Sequence, residues 1–352
     1  MKFGVMHLFP ADGPDHDVLM DTVDDVVLAD ELGFDSVWLA EHHFSRYGLL
    51  GNPLMLSTML AERTKNVTLG SAVLVLPFYD PIRLAEDAAL LDNLSGGRLR
   101  LGIGRGYQPR EFAGFGRKVE DNKELYQETV DVLNLAWNSE GRWDYEGKHY
   151  RYQDMEIFPK PLTPGGPPII HACSSADSYR ARGLKGEPII SSPQFTPLSR
   201  MQKNFDSYRE ALAEGGHDIA NYDLPYMQQV WCGDDPNELS AVSEAALAYY
   251  KQVGQVIPGS QEAAESERAY YEAVRRNIDL LDLEKTLTHG GNFGSTDQVV
   301  DAIGRLGEQL GVTQYIGWFR IPSLDPKTAR ASMERFASEV IPQFRPSETT
   351  AS

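Results

Sequence analysis

Every side chain in the run Val67-Thr68-Leu69-Gly70-Ser71-Ala72-Val73-Leu74-Val75-Leu76 is apolar or small. A strand with one face in water alternates apolar and polar positions, so an unbroken run needs cover on both faces, as a parallel sheet flanked by helices provides. Pro77 ends the run, because its ring removes the amide that a ladder would use. Asp80-Pro81 then offers an N-cap and a first-turn proline for a helix with Leu84, Ala88 and Leu91 on one face, closed by Ser95-Gly96-Gly97. The same alternation precedes and follows it. Residues 2–9 predict a first strand, after which Leu19, Val23, Val26 and Val27 fall at helical spacing up to Gly33. Ser36-Val37-Trp38-Leu39-Ala40 predicts the second strand and residues 99–104 the fourth. Consecutive strand–helix units of this kind build a parallel sheet.

Later units keep the pattern less regularly. A helix through Leu125, Val132, Leu133 and Ala136 is followed by an expected hairpin insertion over about 141–153, turning near Glu146-Gly147. Residues 167–172, 188–190, 227–232 and 315–320 predict strands five to eight. Eight units imply an α/β (β/α)8 TIM barrel with insertions, and 352 residues suit one such domain, expected over 1–345. A second insertion is expected over about 240–292, between strands seven and eight. A last helix opens at Asp325-Pro326 with Ala329, Met333, Phe336 and Val340 on one face, and 346–352 reads as a polar tail.

Charge narrows the list of partners. With 33 basic and 51 acidic side chains the formal charge is −18, which repels nucleic-acid phosphates and anionic lipid, so neither is expected. The apolar start is too short for a signal core or a membrane span. Cys173 and Cys232 have neither zinc-site spacing nor the makings of a disulfide framework, which suits a reducing cytoplasm.

In a barrel, chemistry collects where strands end and the following loops begin. Glu41-His42-His43-Phe44 occupies that place after strand two: an acid beside two imidazoles suits general acid/base work, and equally suits two histidines bonded to backbone. No metal site is expected, since adjacent residues on an extended segment point to opposite sides and no third ligand is spaced for one. Gly102-Ile103-Gly104-Arg105-Gly106 ends strand four; its glycines let a ligand approach the backbone or simply relieve crowding, and Arg105 can pair with phosphate. Tyr107 stands where a dinucleotide fingerprint would need its third glycine. Cys173-Ser174-Ser175-Ala176-Asp177 opens the helix after strand five, where free amides favour an anion, or where a serine merely caps.

Several of these segments together resemble one family. Residues 32–44 (Leu-Gly-Phe-Asp-Ser-Val-Trp-Leu-Ala-Glu-His-His-Phe), Gly48-Leu49-Leu50-Gly51-Asn52-Pro53, Leu76-Pro77, residues 90–98, Gly104-Arg105-Gly106 and Glu111-Phe112-Ala113-Gly114-Phe115-Gly116 resemble the bacterial luciferase-like superfamily of flavin-dependent monooxygenases, most closely its luciferase α-subunit type. The likeness is dense over about the first third and looser beyond.

The resemblance implies reduced FMN (FMNH2) reacting with O2 through a C4a-peroxyflavin to oxidise a small organic substrate, with a separate flavin reductase supplying the flavin. It makes His42 and His43 the catalytic candidates. It also makes Glu41, Ala72, Val73, Gly104, Arg105, Cys173, Ser174 and Ser175 the cofactor-binding ones, with Arg105 and Ser174 on the phosphate. It further implies a cis peptide at Ala72-Val73 and a homodimer formed through the helices of 52–64 and 81–94, which carry Leu54, Met55, Leu56, Met59, Leu60, Leu84 and Leu91. Gly104 departs from the family's reactive cysteine and Cys173 from its acidic phosphate-loop residue, while residues 254–292 share little wording with its mobile loop. Two other readings stay open: a deazaflavin-dependent hydride-transfer enzyme of the same superfamily, and a non-catalytic flavin-binding subunit. Phe9, Phe78, Trp231 and Trp318 near predicted strand ends suggest an apolar pocket, or plain core.

Overall fold

The computed structural model describes residues 1–10, 13–191, 196–257 and 265–345. The chain begins β1 (Lys2–His7), α1 (Asp15–Glu31), β2 (Ser36–Leu39), α2 (Pro53–Arg63), β3 (Thr68–Ser71), β4 (Leu74–Val75), α3 (Pro81–Leu94), β5 (Leu99–Gly104). It continues α4 (Pro109–Gly114), α5 (Asn122–Asn138), β6 (Trp143–Glu146), β7 (Arg151–Met155), β8 (Ile169–Ala172), α6 (Ala176–Lys185), β9 (Ile189–Ile190), α7 (Leu198–Glu214), β10 (Pro225–Cys232). It ends α8 (Pro236–Val256), α9 (Glu265–Asp279), α10 (Leu283–Lys285), β11 (Asn292–Gly294), α11 (Thr296–Leu310), β12 (Gln314–Trp318), α12 (Pro326–Arg335) and α13 (Ile341–Phe344). Caps placed by sequence are seen: Asp80 accepts from the Arg83 amide at the start of α3, and Pro81 occupies its first turn.

One curled parallel sheet runs in the order β11-β10-β12-β1-β2-β3-β5-β8-β9, with β4 also on β5; β6 and β7 form a separate antiparallel hairpin. Beyond β9, Ser191 Oγ donates to the Pro225 carbonyl at the start of β10 (2.9 Å), so the two ends of the curl approach each other. Among the described residues no backbone ladder joins them.

Strand residues facing the helices, among them Phe3, Val5, Val37, Leu39, Leu69 and Leu101, form the larger apolar cluster; those facing inward, among them Met6, Trp38, Ile316 and Trp318, form the second. Trp38 dominates the inner side. Its Nε1 donates to Ser36 Oγ (2.9 Å), which also accepts from Gln314 Nε2 (3.1 Å). A Cβ on Gly70 of β3 would lie 2.6 Å from Trp38 Cζ3, and one on Gly4 of β1 would lie 3.2 Å from its Nε1. The glycines of the neighbouring strands therefore make room for one indole, and the indole fills the curl in place of several branched side chains.

The structure corrects several sequence expectations. The run 67–76 is not one strand: the Ala72-Val73 peptide is cis and separates β3 from β4. The Val75 amide then donates to the Glu41 carboxylate (3.2 Å). Strand eight stops at Trp318, because Arg320 turns to the α1 carboxylates Asp25 (3.2 Å) and Asp21 (3.3 Å). Strand β11 begins at Asn292, the last residue of the stretch 240–292, pairs with β10 and was not anticipated. The stretch expected as an insertion holds α8 to α10; its residues 258–264, like the expected tail 346–352, lie outside the described residues. Of the residues expected on a dimer face, Leu54, Leu60, Leu84 and Leu91 are buried, whereas Met55 (73 %) and Met59 (36 %) are exposed, as are Leu90 and Leu94 of α3. Among the described residues no helix is long and apolar enough to cross a membrane.

Candidate functional site

At the C-terminal ends of the strands lies a cavity of about 330 Å³. Its base is apolar, with Met6, Met227 and Trp318 projecting from β1, β10 and β12. Loops after the strands supply its walls: Glu41 and His42 after β2, the cis pair Ala72-Val73, Gly104 and Arg105 at the end of β5, and Cys173 and Ser174 after β8. Above them α8 contributes Tyr249 and Val253, and α9 contributes Tyr271 and Val274.

The two adjacent histidines part company. His42 lines the cavity and sets its Nδ1 against Gln108 Nε2 (3.1 Å) and Glu111 Oε1 (3.4 Å). His43 is absent from the lining: its Nε2 meets Glu41 Oε1 (2.8 Å), and its ring packs edge-on against Phe78 and Phe115. Glu41 is 2 % exposed and is held by His43, the Tyr79 hydroxyl (2.7 Å) and the Val75 amide. It braces the wall rather than presenting a bare carboxylate.

The remaining candidates also divide. Gly104, Arg105, Cys173 and Ser174 share the cavity with Ala72 and Val73, but Ser175 does not reach it. Ser175 and Ser178 form a capping box at the start of α6, so that hydroxyl is spent on its own helix. Burial pushes the Cys173 thiol up to about 12, which keeps it protonated and a poor nucleophile. A Cβ on Gly104 would lie 2.6 Å from Val73 Cγ2, so the glycine lets the cis pair close against β5. Of the four aromatic residues expected near the pocket, only Trp318 lines it; Phe9 and Trp231 are core, and Phe78 joins the His43 cluster.

Sequence reasoning missed the tyrosines and the partners of His42. The Tyr47 ring lies edge-on to His42 (4.6 Å between centroids), and its hydroxyl bonds that of Tyr249 (2.7 Å). Burial holds both phenols well above their usual range, so they remain neutral. Gln108 stands at the N-cap of α4 and Glu111 lies in its first turn; Glu111 gave only a motif match, with no role attached, and Gln108 gave no signal. Elsewhere Asp121, Glu124 and His149 come together, but Glu124 is exposed and already paired with Lys148 (2.6 Å).

The sequence model of luciferase-like monooxygenases matches residues 1–314. The chain belongs to that family. It is similar to the alkanal monooxygenase alpha chain of the Kryptophanaron alfredi symbiont, 34 % identical over 195 residues, which cover 55 % of this chain and 54 % of that one. It thus aligns with about half the length of that relative. Likeness to the oxygenase component of the flavin-dependent trigonelline monooxygenase of Acinetobacter baylyi is longer, 24 % over 323 residues, covering 91 % and 88 % of the two chains. The fold matches the oxygenating constituent of 3,6-diketocamphane monooxygenase from Pseudomonas putida, solved in complex with FMN, with a TM-score of 0.81, 22 % identity and coverage of 97 % and 98 %.

Proposed function

We propose that this family member is the oxygenase of a two-component system, taking reduced FMN from a separate reductase and using O2 to oxidise a small, largely apolar organic substrate. The observation that carries this reading is one cavity lined by two chemically different sets of groups, Arg105 and Ser174 on one set of loops and His42 on another, over an apolar base. These residues fit a phosphorylated ring ligand. The guanidinium and hydroxyl suit a phosphate, and the Ala72-Val73 pair offers a wall of the same cavity for a ring to lie against. Once bound there, reduced flavin supplies the electrons with which oxygen is activated.

The protein's own contribution follows from its side chains. Arg105 and Ser174 hold the phosphate and so fix the ring's position. With Nδ1 engaged by Gln108 and Glu111, the other ring nitrogen of His42 is the one available for proton transfer to a molecule in the cavity. Val253, Tyr271 and Val274 shed water from above, which protects reactive species from hydrolysis. We extend the reading to a closed (β/α)8 barrel over 1–345, supported by the Ser191–Pro225 contact, and to a homodimer through Met55, Met59, Leu90 and Leu94. Cys173 and Cys232 are buried unpaired thiols, in keeping with a reducing, cytoplasmic setting.

Anaerobic titration of the protein with reduced FMN, reduced riboflavin and reduced deazaflavin coenzyme tests the cofactor. Arg105→Ala should weaken FMN binding at least tenfold and leave riboflavin nearly unchanged, because only FMN carries the phosphate. Equal losses would remove Arg105 from the phosphate site, and tight deazaflavin binding without FMN binding would favour hydride transfer instead.

A further inference from the structure

We infer that Gln108 and Glu111 form a two-position proton selector for His42, deciding which of its ring nitrogens carries hydrogen. The inference rests on the proposed acid/base role only for its use; the selector itself is a property of three side chains. Gln108 occupies the N-cap of α4 and Glu111 the third position of its first turn, the spacing at which side chains usually satisfy the helix's own free amides. Here the Gln108 side chain makes no cap bond. Its Nε2 instead lies 3.1 Å from His42 Nδ1, while Glu111 Oε1 accepts from the His43 amide (2.9 Å) and lies 3.4 Å from the same Nδ1. Both side chains are buried, at 3 % and 2 % exposed, and α4 is pinned from behind by Phe112 and Phe115 against Phe78. Neither can swing into solvent to satisfy itself.

These two partners make opposite demands on one atom. An amide N–H needs Nδ1 bare, which puts the single proton of a neutral ring on Nε2 and makes that nitrogen a donor. A carboxylate needs Nδ1–H, which leaves Nε2 of a neutral ring as a base, or lets the doubly protonated ring form. A proton taken up at Nε2 is thus stabilised by the Nδ1–H to Glu111 contact. When the ring gives up its Nδ1 proton, the Gln108 amide takes over that nitrogen. The other groups facing the ring do not compete for this role: Tyr47 meets it edge-on with its hydroxyl on Tyr249, both phenols are neutral, and Tyr107 and Arg105 come from the loop after β5 into the same cavity. The Glu41 carboxylate, which also lines the cavity, is committed to His43, Tyr79 and the Val75 amide. Gln108 and Glu111 are accordingly positioning residues, acting through His42.

The test is a ¹⁵N-histidine NMR titration of the whole protein without added flavin, with the His42 signal assigned by its loss in His42→Ala. Glu111→Gln keeps an acceptor for the His43 amide but removes the charge, and should lower the His42 titration midpoint by about one pH unit or more. Gln108→Met should move it upward and shift the neutral ring toward the Nδ1–H tautomer, which nitrogen shifts report directly. Gln108→Glu, which retains a polar group, should move it further up and supplies the same reading if Gln108→Met does not fold. Opposite displacements establish the selector. Displacements in one direction, or none, overturn it whether or not the protein proves to be an oxygenase, since the titration uses neither flavin nor substrate.

Discussion

Replacing Gly70 by alanine tests how the fold makes its inner space. The added Cβ would sit 2.6 Å from Cζ3 and 2.8 Å from Cδ2 of Trp38, well inside the roughly 3.5–4.0 Å at which carbons pack. The indole has little room to retreat, because Trp38 is 3 % exposed and its Nε1 is bonded to Ser36. Overpacking of this kind costs about 1–3 kcal/mol. In a Trp38→Leu background the ring is gone, and the same methyl enters vacated space while removing the excess backbone freedom of glycine, a gain of about 0.5–1 kcal/mol. Gly70→Ala should therefore destabilise the parent and be neutral or stabilising in the leucine background, a coupling of about 1–4 kcal/mol. Urea unfolding followed by far-UV circular dichroism reads all four proteins without relying on tryptophan fluorescence. An equal fall in midpoint in both backgrounds would refute the idea that the β3 glycine exists to seat Trp38.

Three further outcomes follow from the site, the surface and the core. His42→Ala should lower kcat by about 10²–10⁴-fold while reduced FMN still binds, since Arg105 and Ser174 stand on other loops; its pH–rate profile should lose the imidazole limb, with partial rescue by added imidazole. Unchanged turnover would make the histidine a packing group. Met59→Glu places a charge among the exposed apolar residues of α2 and α3 and should give monomers in sedimentation; an unchanged dimer would put the contact elsewhere. His7 and His171 are both driven by burial from the usual 6.5 down to about 3, so the fold holds them neutral while the unfolded chain takes up protons. Their contribution is complete above pH 6.5 and should fall by up to about 1.4 kcal/mol per pH unit for each histidine as the pH drops toward 3. His7→Leu should flatten acid unfolding over that window, and an unaltered acid midpoint would count against it.

Local chemistry made much of this molecule readable in one dimension. Strand and helix periodicity, the Asp80-Pro81 start and the glycines at helix ends depend on near neighbours, so the parallel units and the loops bearing His42, Arg105 and Ser174 were legible in the chain. What needed the third dimension was the choice among adjacent residues. Nothing local separates His42 from His43, which are parted by Glu111 and Gln108, 65 to 70 positions away, whereas Ser175 parts from Ser174 by a local contact, the capping box it makes with Ser178. The run 67–76 reads as one strand because every side chain in it is apolar or small, yet its amide at Val75 belongs to Glu41 from another loop. The roof of Tyr249 and Tyr271 lies in a stretch that the sequence marks only as an insertion. Hydrophobic pattern says that a face is covered and not by what, and a site assembled from six separate loops and helices is decided by those coverings.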